Sequence, residues 1–199
     1  MAPRPARSTY GLPEDRFVFC SFNNSYKFNP QVFDLWCRLL RESDGSYLWL
    51  SQPAGSAQER LRREVQVRGV DPARLIFASR VESRVAHLTR LQLADLALDP
   101  FPYNSHSTGV DILWAGVPMV TVADARHGPE VAYVEHGRNG LVVPDAELLP
   151  ALLQLLGDDA ERERLGAGAM AAGGTYTIER MSERFCAGIE ACLAAGRAQ

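Results

Sequence analysis

The chain alternates between short apolar runs and longer segments in which apolar residues recur every three or four positions. The short runs predict six β-strands, at residues 16–22, 46–51, 74–79, 94–100, 118–122 and 140–144. The longer segments predict helices at 29–43, 57–69 and 83–92, one that begins near Ser107, and a short one at 128–137. From residue 145 the chain is predicted to be helical, with a break at 166–174.

This order of elements predicts an α/β fold. Strands that read as continuous apolar runs are typical of a parallel sheet covered by helices on both faces. We therefore expect a Rossmann-like, doubly wound parallel sheet of about six strands over residues 10–199, with residues 1–9 as a loose N-terminal arm or linker. The glycine cluster at 166–174 follows no strand, so it is not a dinucleotide-binding fingerprint.

Ligands of such sheets bind beyond the carboxyl ends of the strands, which directs attention to the loops at 21–30, 78–83, 99–108 and 122–128. The first loop holds Asn23, Asn24, Ser25 and Lys27, the only lysine of the chain. These residues suit a turn that caps the following helix, and contact with an anion is the alternative if Lys27 projects over the crevice.

Two further segments carry polar groups at this predicted edge. Ser107 and Thr108 lie where a helix begins, so they cap that helix or bind an anion, and Asp111 follows one turn later. His87 and Arg90 lie three residues apart and share a helix face, which is a solvated basic face or part of a site.

Charge and cysteine content argue against several kinds of partner and site. With 21 basic and 24 acidic residues the net charge is -3, which favours neither nucleic acid nor a membrane surface as a partner. We find no apolar run long enough to span a membrane and no signal peptide, so we expect a cytoplasmic protein. The four cysteines lack metal or redox spacing and are expected to be reduced core thiols: Cys20, Cys37, Cys186 and Cys192.

Taken together, the loops offer cationic and hydroxyl side chains without an acidic pair or a metal-binding cluster. This set suits a nucleoside diphosphate that is held without a metal ion or other cofactor.

Four segments resemble one known family: YGLPEDRFVFCSFNNSYKFNP, LWLSQP, VDPARLIFAS and QLADLALDPFPYNSHSTGVDILWAGVPMVT. They are similar to the catalytic region of the protein O-GlcNAc transferases, including bacterial and SPINDLY-like members, from Tyr10 to Thr121. The resemblance implies that the chain is the second, donor-binding lobe of a GT-B glycosyltransferase.

The resemblance also implies roles for matched residues. Contacts to the donor phosphates are implied for Asn24, Lys27, His106, Ser107 and Thr108. Contacts to the uracil are implied for Glu82 (through its backbone) and Arg90, a contact to the ribose for Asp111, and a position near the nucleotide for His87. Lys27 is the implied catalytic residue, because it would stabilise the diphosphate leaving group.

The chain departs from the family pattern in three ways. Arg84 stands where a lysine is common, which keeps the charge but changes its geometry. After Thr121 the chain reads DARHGPEVAYVEHGRNGLVVPD, which is similar to retaining, sucrose-synthase-like glycosyltransferases. The family's first lobe and its helical repeats are expected to be absent, so the acceptor-binding groups would come from a missing N-terminal lobe or a partner chain.

The sequence therefore predicts an inverting, metal-independent transfer of GlcNAc from UDP-GlcNAc to Ser or Thr hydroxyls of proteins. The chain alone is expected to bind UDP without transferring sugar. Two alternatives stay open: a retaining glycosyltransferase that acts on a glycan or small acceptor, and a UDP-binding module without catalysis.

Overall fold

A single six-stranded parallel sheet forms the centre of the molecule, with strand order β3-β2-β1-β4-β5-β6. The computed structural model describes residues 3–125, 127–175 and 177–196. The strands are β1 Val18–Ser21, β2 Tyr47–Ser51, β3 Leu75–Ala78, β4 Leu96–Leu98, β5 Met119–Val122 and β6 Gly140–Val143. All six predicted strands form, and the five pairings between neighbouring strands are parallel. The predicted fold class is confirmed.

Helices connect the strands and cover both faces. They are α1 Pro30–Glu42, α2 Ala57–Val67, α3 Arg84–Leu91, α4 Ser107–Trp114, α5 Leu148–Gly157, α6 Asp159–Gly173 and α7 Ile178–Gly196. The predicted cap of α1 is confirmed, since the Asn29 side chain accepts a hydrogen bond from the amide of Val32. Within the described residues, none of these helices is long and apolar enough to cross a membrane.

Side chains that alternate along the strands build a core on each face. In β1, Phe19 packs with α1, α2 and α5, whereas Val18 and Cys20 point to the opposite core with α3 and α4. The predicted apolar face of α1 is buried in the first core, and its members are Val32, Phe33, Trp36, Leu39 and Leu40.

The predicted helix at 128–137 is wrong in length. Only a five-residue 3-10 helix, Pro129–Tyr133, forms there. The buried Asn139 side chain donates to the carbonyl of Tyr133 and accepts from the amide of Glu135, so this backbone is bonded to the turn before β6. A longer helix would need the same backbone groups for its own hydrogen bonds.

The predicted break at 166–174 is also wrong, because α6 continues through Gly166 and Gly168. A Cβ at Gly168 would lie 2.0 Å from the carbonyl oxygen of Arg138, and one at Gly166 would lie 2.7 Å from that of Gly116. The glycines therefore let α6 approach two backbone turns of the sheet. The interruption follows at Gly174, before α7 begins at Ile178.

Cys20 and Cys37 are buried, as predicted, but Cys186 and Cys192 are exposed. Both exposed cysteines lie on α7, which packs little against the rest of the chain. The side chains of α7 that the sequence pattern would bury are exposed as well: Ile178, Met181, Phe185, Ile189 and Leu193.

The segment 1–9 is not a loose arm throughout, because Arg7 begins a 3-10 turn and is only 8% exposed. Its guanidinium donates to the carbonyl oxygens of Leu93 and Arg16, at 3.0 and 2.7 Å, and makes two bonds to the Asp95 carboxylate, at 2.8 and 2.7 Å. Asp95 in turn accepts from the amide of Val18 at 2.8 Å. Arg7 thus joins the N-terminal segment to the amino ends of β1 and β4.

We expect Arg7→Met to lower the free energy of unfolding by about 2–3 kcal/mol, because it leaves the Asp95 carboxylate and two carbonyls without their charged donor. Urea denaturation measures the effect. The control is Arg38→Met, which breaks an exposed pair with Glu42 and should cost less than about 1 kcal/mol. Equal losses in both variants would contradict the anchoring role of Arg7.

Candidate functional site

The strand order reverses between β1 and β4, which lie side by side at the centre of the sheet. The chain leaves these two strands in different directions, so a crevice opens above their carboxyl ends. The loop after β1 carries Lys27, and the loop after β4 leads into α4. The predicted phosphate-binding residues therefore lie on both sides of one crevice.

Lys27 ends a short 3-10 helix, Ser25–Lys27, and its side chain is bound to the opposite loop. Its Nζ donates to the carbonyl oxygen of Asn104 at 2.7 Å and lies 4.6 Å from the centre of the Tyr103 ring. Burial lowers the pKa of Lys27, and the carboxylates of Asp99 and Glu130 oppose that change. With 9% of its surface exposed, the ammonium is a largely desolvated cation.

Asp99 directly follows β4 and organises the loop that receives Lys27. Its Oδ1 accepts from the amide of Ser105 at 2.6 Å, and its Oδ2 accepts from Asn104 Nδ2 at 2.8 Å and Thr121 Oγ1 at 2.6 Å. The carboxylate is 5% exposed. Three donors on one buried carboxylate fix the path of the chain from β4 to α4.

The start of α4 is free of a side-chain cap. Residue His106 occupies the N-cap position without a capping bond, so the first amides of the helix, at Ser107 and Thr108, face the crevice edge. Such an end attracts anions through its amides and the helix dipole. His106 Nδ1 lies 3.3 Å from Glu130 Oε1, and the other oxygen of Glu130 is buried without a hydrogen-bond partner among the described residues.

Asp111, one turn into α4, faces α3. Its Oδ1 accepts from Arg84 at 2.8 Å, and its Oδ2 lies 3.7 Å from His87 Nε2. The Arg84 side chain is largely exposed, whereas that of Asp111 is mostly covered. A ligand hydroxyl that approaches Asp111 therefore meets a carboxylate whose present partner is an exposed surface arginine.

His87 and Arg90 share one face of α3, as predicted, but that face is not a solvated basic one. Arg90 is 5% exposed, donates to the carbonyl of Ser79, and stacks 5.0 Å from the centre of the Phe22 ring. Its Nη2 lies 3.1 Å from His87 Nδ1. Since arginine only donates, Nδ1 is the acceptor and the ring proton is on Nε2, toward Asp111. Burial, helped by Arg90, lowers the pKa of His87 while Asp111 opposes this, which favours the neutral ring.

An open depression of about 310 Å³ lies beside these residues. Its lining comes from the loop after β3 and from α3, namely Arg80, Val81, Glu82, Ser83, Arg84, His87 and Arg90. Its position next to Asp111 gives the crevice a second compartment at the side of α3.

The structure thus brings seven of the nine predicted site residues into two neighbouring groups. Lys27 and the start of α4 form one, and Asp111 with the α3 residues forms the other. Asn24 and Glu82 lie outside these two groups of contacting side chains: both are exposed on loops of the same edge, and Glu82 lines the depression beside His87 and Arg90. No group of three or more metal-ligating side chains was found among residues 3–125, 127–175 and 177–196.

Sequence reasoning missed Asp99, Asn104 and Glu130. The position of Asp99, immediately after an apolar strand, was a usable signal, because that is where site residues of parallel sheets lie. The approach of Glu130 to His106 depends on the loop after β5 and had no signal in the local pattern.

The model of glycosyl transferase family 41 matches residues 4–146. A probable UDP-N-acetylglucosamine–peptide N-acetylglucosaminyltransferase, SEC of Arabidopsis thaliana, is 41% identical over 129 residues, which are 65% of this chain and 13% of that protein. The UDP-N-acetylglucosamine–peptide N-acetylglucosaminyltransferase of Caenorhabditis elegans is 44% identical over 117 residues, 59% of this chain and 10% of that protein. The chain therefore spans about an eighth of the first of these relatives and a tenth of the second.

Solved structures agree with this fold. A mutant of the O-GlcNAc transferase of Thermobaculum terrenum matches with a TM-score of 0.51 and 26% identity, over 84% of this chain and 30% of that one. Anabaena HepE in complex with UDP matches with a TM-score of 0.69, over 93% of this chain and 51% of that one, but at 17% identity it shows the fold alone. The sheet is that of one Rossmann-like lobe of a GT-B glycosyltransferase, and the chain belongs to glycosyl transferase family 41.

Proposed function

We propose that this chain is the donor-binding lobe of a UDP-sugar-dependent glycosyltransferase that transfers GlcNAc from UDP-GlcNAc to Ser or Thr hydroxyls of proteins. The sugar and the acceptor rest on the relatives, whose names describe N-acetylglucosaminyl transfer to peptides. The observation that carries the proposal is the bond from Lys27 to the carbonyl of Asn104, which holds the one lysine against the loop that opens α4.

The two groups of side chains suit the two ends of a nucleoside diphosphate. Lys27, His106 and the amides of Ser107 and Thr108 would hold the diphosphate, where cationic and amide donors are needed. Asp111 would accept from the ribose hydroxyls, and the depression beside His87 and Arg90 would receive the uracil.

The chemistry of transfer places negative charge on the diphosphate as the bond from the sugar to the phosphate breaks. Donors that are already fixed around it stabilise that charge without reorganising, and loss of one such donor typically costs about 3 kcal/mol, or roughly a hundredfold in rate. Lys27 is suited to this role, because its ammonium is largely desolvated. We propose that a second lobe supplies the acceptor site and the base that deprotonates the acceptor hydroxyl.

Lys27→Met should weaken UDP binding about tenfold or more, because a charge-assisted bond to phosphate contributes roughly 1.5–3 kcal/mol. Methionine keeps most of the side-chain volume beside Tyr103. Calorimetry with UDP measures the loss, and Arg38→Met, near the far end of α1, is the control that removes a positive charge elsewhere. Equal affinity of wild type and Lys27→Met would remove Lys27 from the site.

Asp111→Asn should weaken UDP about tenfold and pyrophosphate less than twofold, because only UDP offers ribose hydroxyls to the carboxylate. Arg84→Gln is the matched control, since it breaks the same ion pair from the other side. Parallel losses for both ligands in Asp111→Asn would show that Asp111 supports the fold rather than the ribose.

UDP should bind equally well in EDTA and in millimolar magnesium or manganese. The positive charge at the diphosphate would come from Lys27 and the start of α4 instead of a cation. The measurement is the UDP dissociation constant in the two buffers at equal ionic strength. An affinity that is lost in EDTA and restored by the metal would contradict this part of the proposal.

A further inference from the structure

One peptide group, between Asn104 and Ser105, lies between a buried carboxylate and a buried ammonium. Its N–H donates to Asp99 Oδ1 at 2.6 Å, and its C=O accepts from Lys27 Nζ at 2.7 Å. Both charged side chains are less than a tenth exposed, and they form no direct salt bridge in the described structure. The peptide dipole therefore transmits the charge of one side chain to the other.

The orientation of this dipole is the favourable one. A carboxylate at the N–H end raises the electron density on the carbonyl oxygen, and that oxygen then binds an ammonium more strongly. The same bonds fix the direction of the carbonyl, because Asn104 and Ser105 are both held by Asp99.

We propose that Asp99 is a positioning residue for Lys27, acting through the peptide between Asn104 and Ser105 to hold the ammonium charged and in place at the crevice. The role of Lys27 toward the diphosphate rests on the proposed function. The action of Asp99 on Lys27 does not, since it concerns two residues of this chain without a ligand.

The other groups that face Lys27 support this assignment. Glu130, on the loop after β5, is the second carboxylate near Lys27, but it is next to His106. Tyr103, whose ring lies under the ammonium, precedes His106 on the same loop, with 5.5 Å between their ring centres. Burial lowers the pKa of Lys27, and of the two carboxylates that oppose this change, Asp99 has the larger effect and Glu130 the smaller. Asp99 is therefore the main carboxylate that offsets the effect of burial on the Lys27 ammonium.

Asp99→Asn removes the negative charge but can keep hydrogen bonds from residue 99 to the loop. The new amide oxygen can still accept from Ser105 N–H. The new amide nitrogen would face Asn104, whose buried side-chain oxygen has no hydrogen-bond partner among the described residues, so rotation of the Asn104 amide would let that oxygen accept from it.

The test uses lysine labelled with ¹³C, which gives one side-chain signal because Lys27 is the only lysine. The Cε shift is followed from pH 7 to 11 in wild type, Asp99→Asn and Thr121→Val. Lys27 should titrate at lower pH in Asp99→Asn than in wild type. Thr121→Val loses a 2.6 Å bond to Asp99 but keeps the carboxylate and the peptide, so it should titrate as wild type does. Asp99→Ser is the second neutral variant if Asp99→Asn does not fold.

A Lys27 titration that is the same in wild type and in a folded neutral variant would overturn the proposal, whether or not the protein binds UDP. An equal change in the pH at which Lys27 titrates in Thr121→Val would also overturn the proposal. The change would then follow from the stability of the loop and not from the charge of Asp99. Failure of wild type to bind UDP would refute only the proposed function.

UDP binding provides a second, independent test of the positioning role of Asp99. Asp99→Asn should weaken UDP about tenfold in the wild-type background and less than twofold in the Lys27→Met background. An equal loss in both backgrounds would show that Asp99 acts on the site independently of Lys27 and would contradict the positioning role.

Discussion

The carboxyl edge of this sheet depends on hydrogen bonds that join the loop after β1 to the loop after β4. Two of them cross the crevice: Lys27 to the carbonyl of Asn104, and Asn23 to the hydroxyl of Ser105 at 2.8 Å. Both acceptors belong to adjacent residues that Asp99 holds in place. Since the two loops come from the strands at which the sheet order reverses, these bonds set the width of the crevice where a ligand would lie.

Most of the fold follows from the sequence, and what does not follow has specific causes. Apolar runs and helical spacing predict all six strands, because burial on both faces requires apolar residues there. They fail at 128–137, where Asn139 takes backbone bonds that a helix would need. They fail again at 166–174, where the glycines serve close packing of α6 against the backbone and not a turn. The first error arises from hydrogen bonds between Asn139 and the backbone a few residues before it. The second arises from contacts between α6 and segments that lie far from it in the sequence.

The candidate site is predictable to a similar degree. Residue type and position after a strand make Lys27, Ser107, Thr108 and Asp111 candidates, and the family resemblance implies their roles. Their partners are not predictable in this way, because the bond from Lys27 to Asn104 spans 77 residues and the approach of Glu130 to His106 requires the fold of another loop. The lowered pKa of His87 is a further example, since it depends on burial and on the donor Arg90, which lies one helical turn away.

Helix α4 is held at both ends. Its first amides therefore have a fixed position even though the helix is short. At its start, Asp99 fixes the preceding loop through Ser105. At its end, α6 packs so closely that a Cβ at Gly173 would lie 3.0 Å from the Trp114 ring. Residues of α6 lie beyond 146, where the family match ends, yet Leu165 and Ala169 are fully buried in the two cores. Helix α6 therefore supports the edge of the crevice indirectly, because it keeps α4 from shifting along its axis while Asp99 sets where that axis begins.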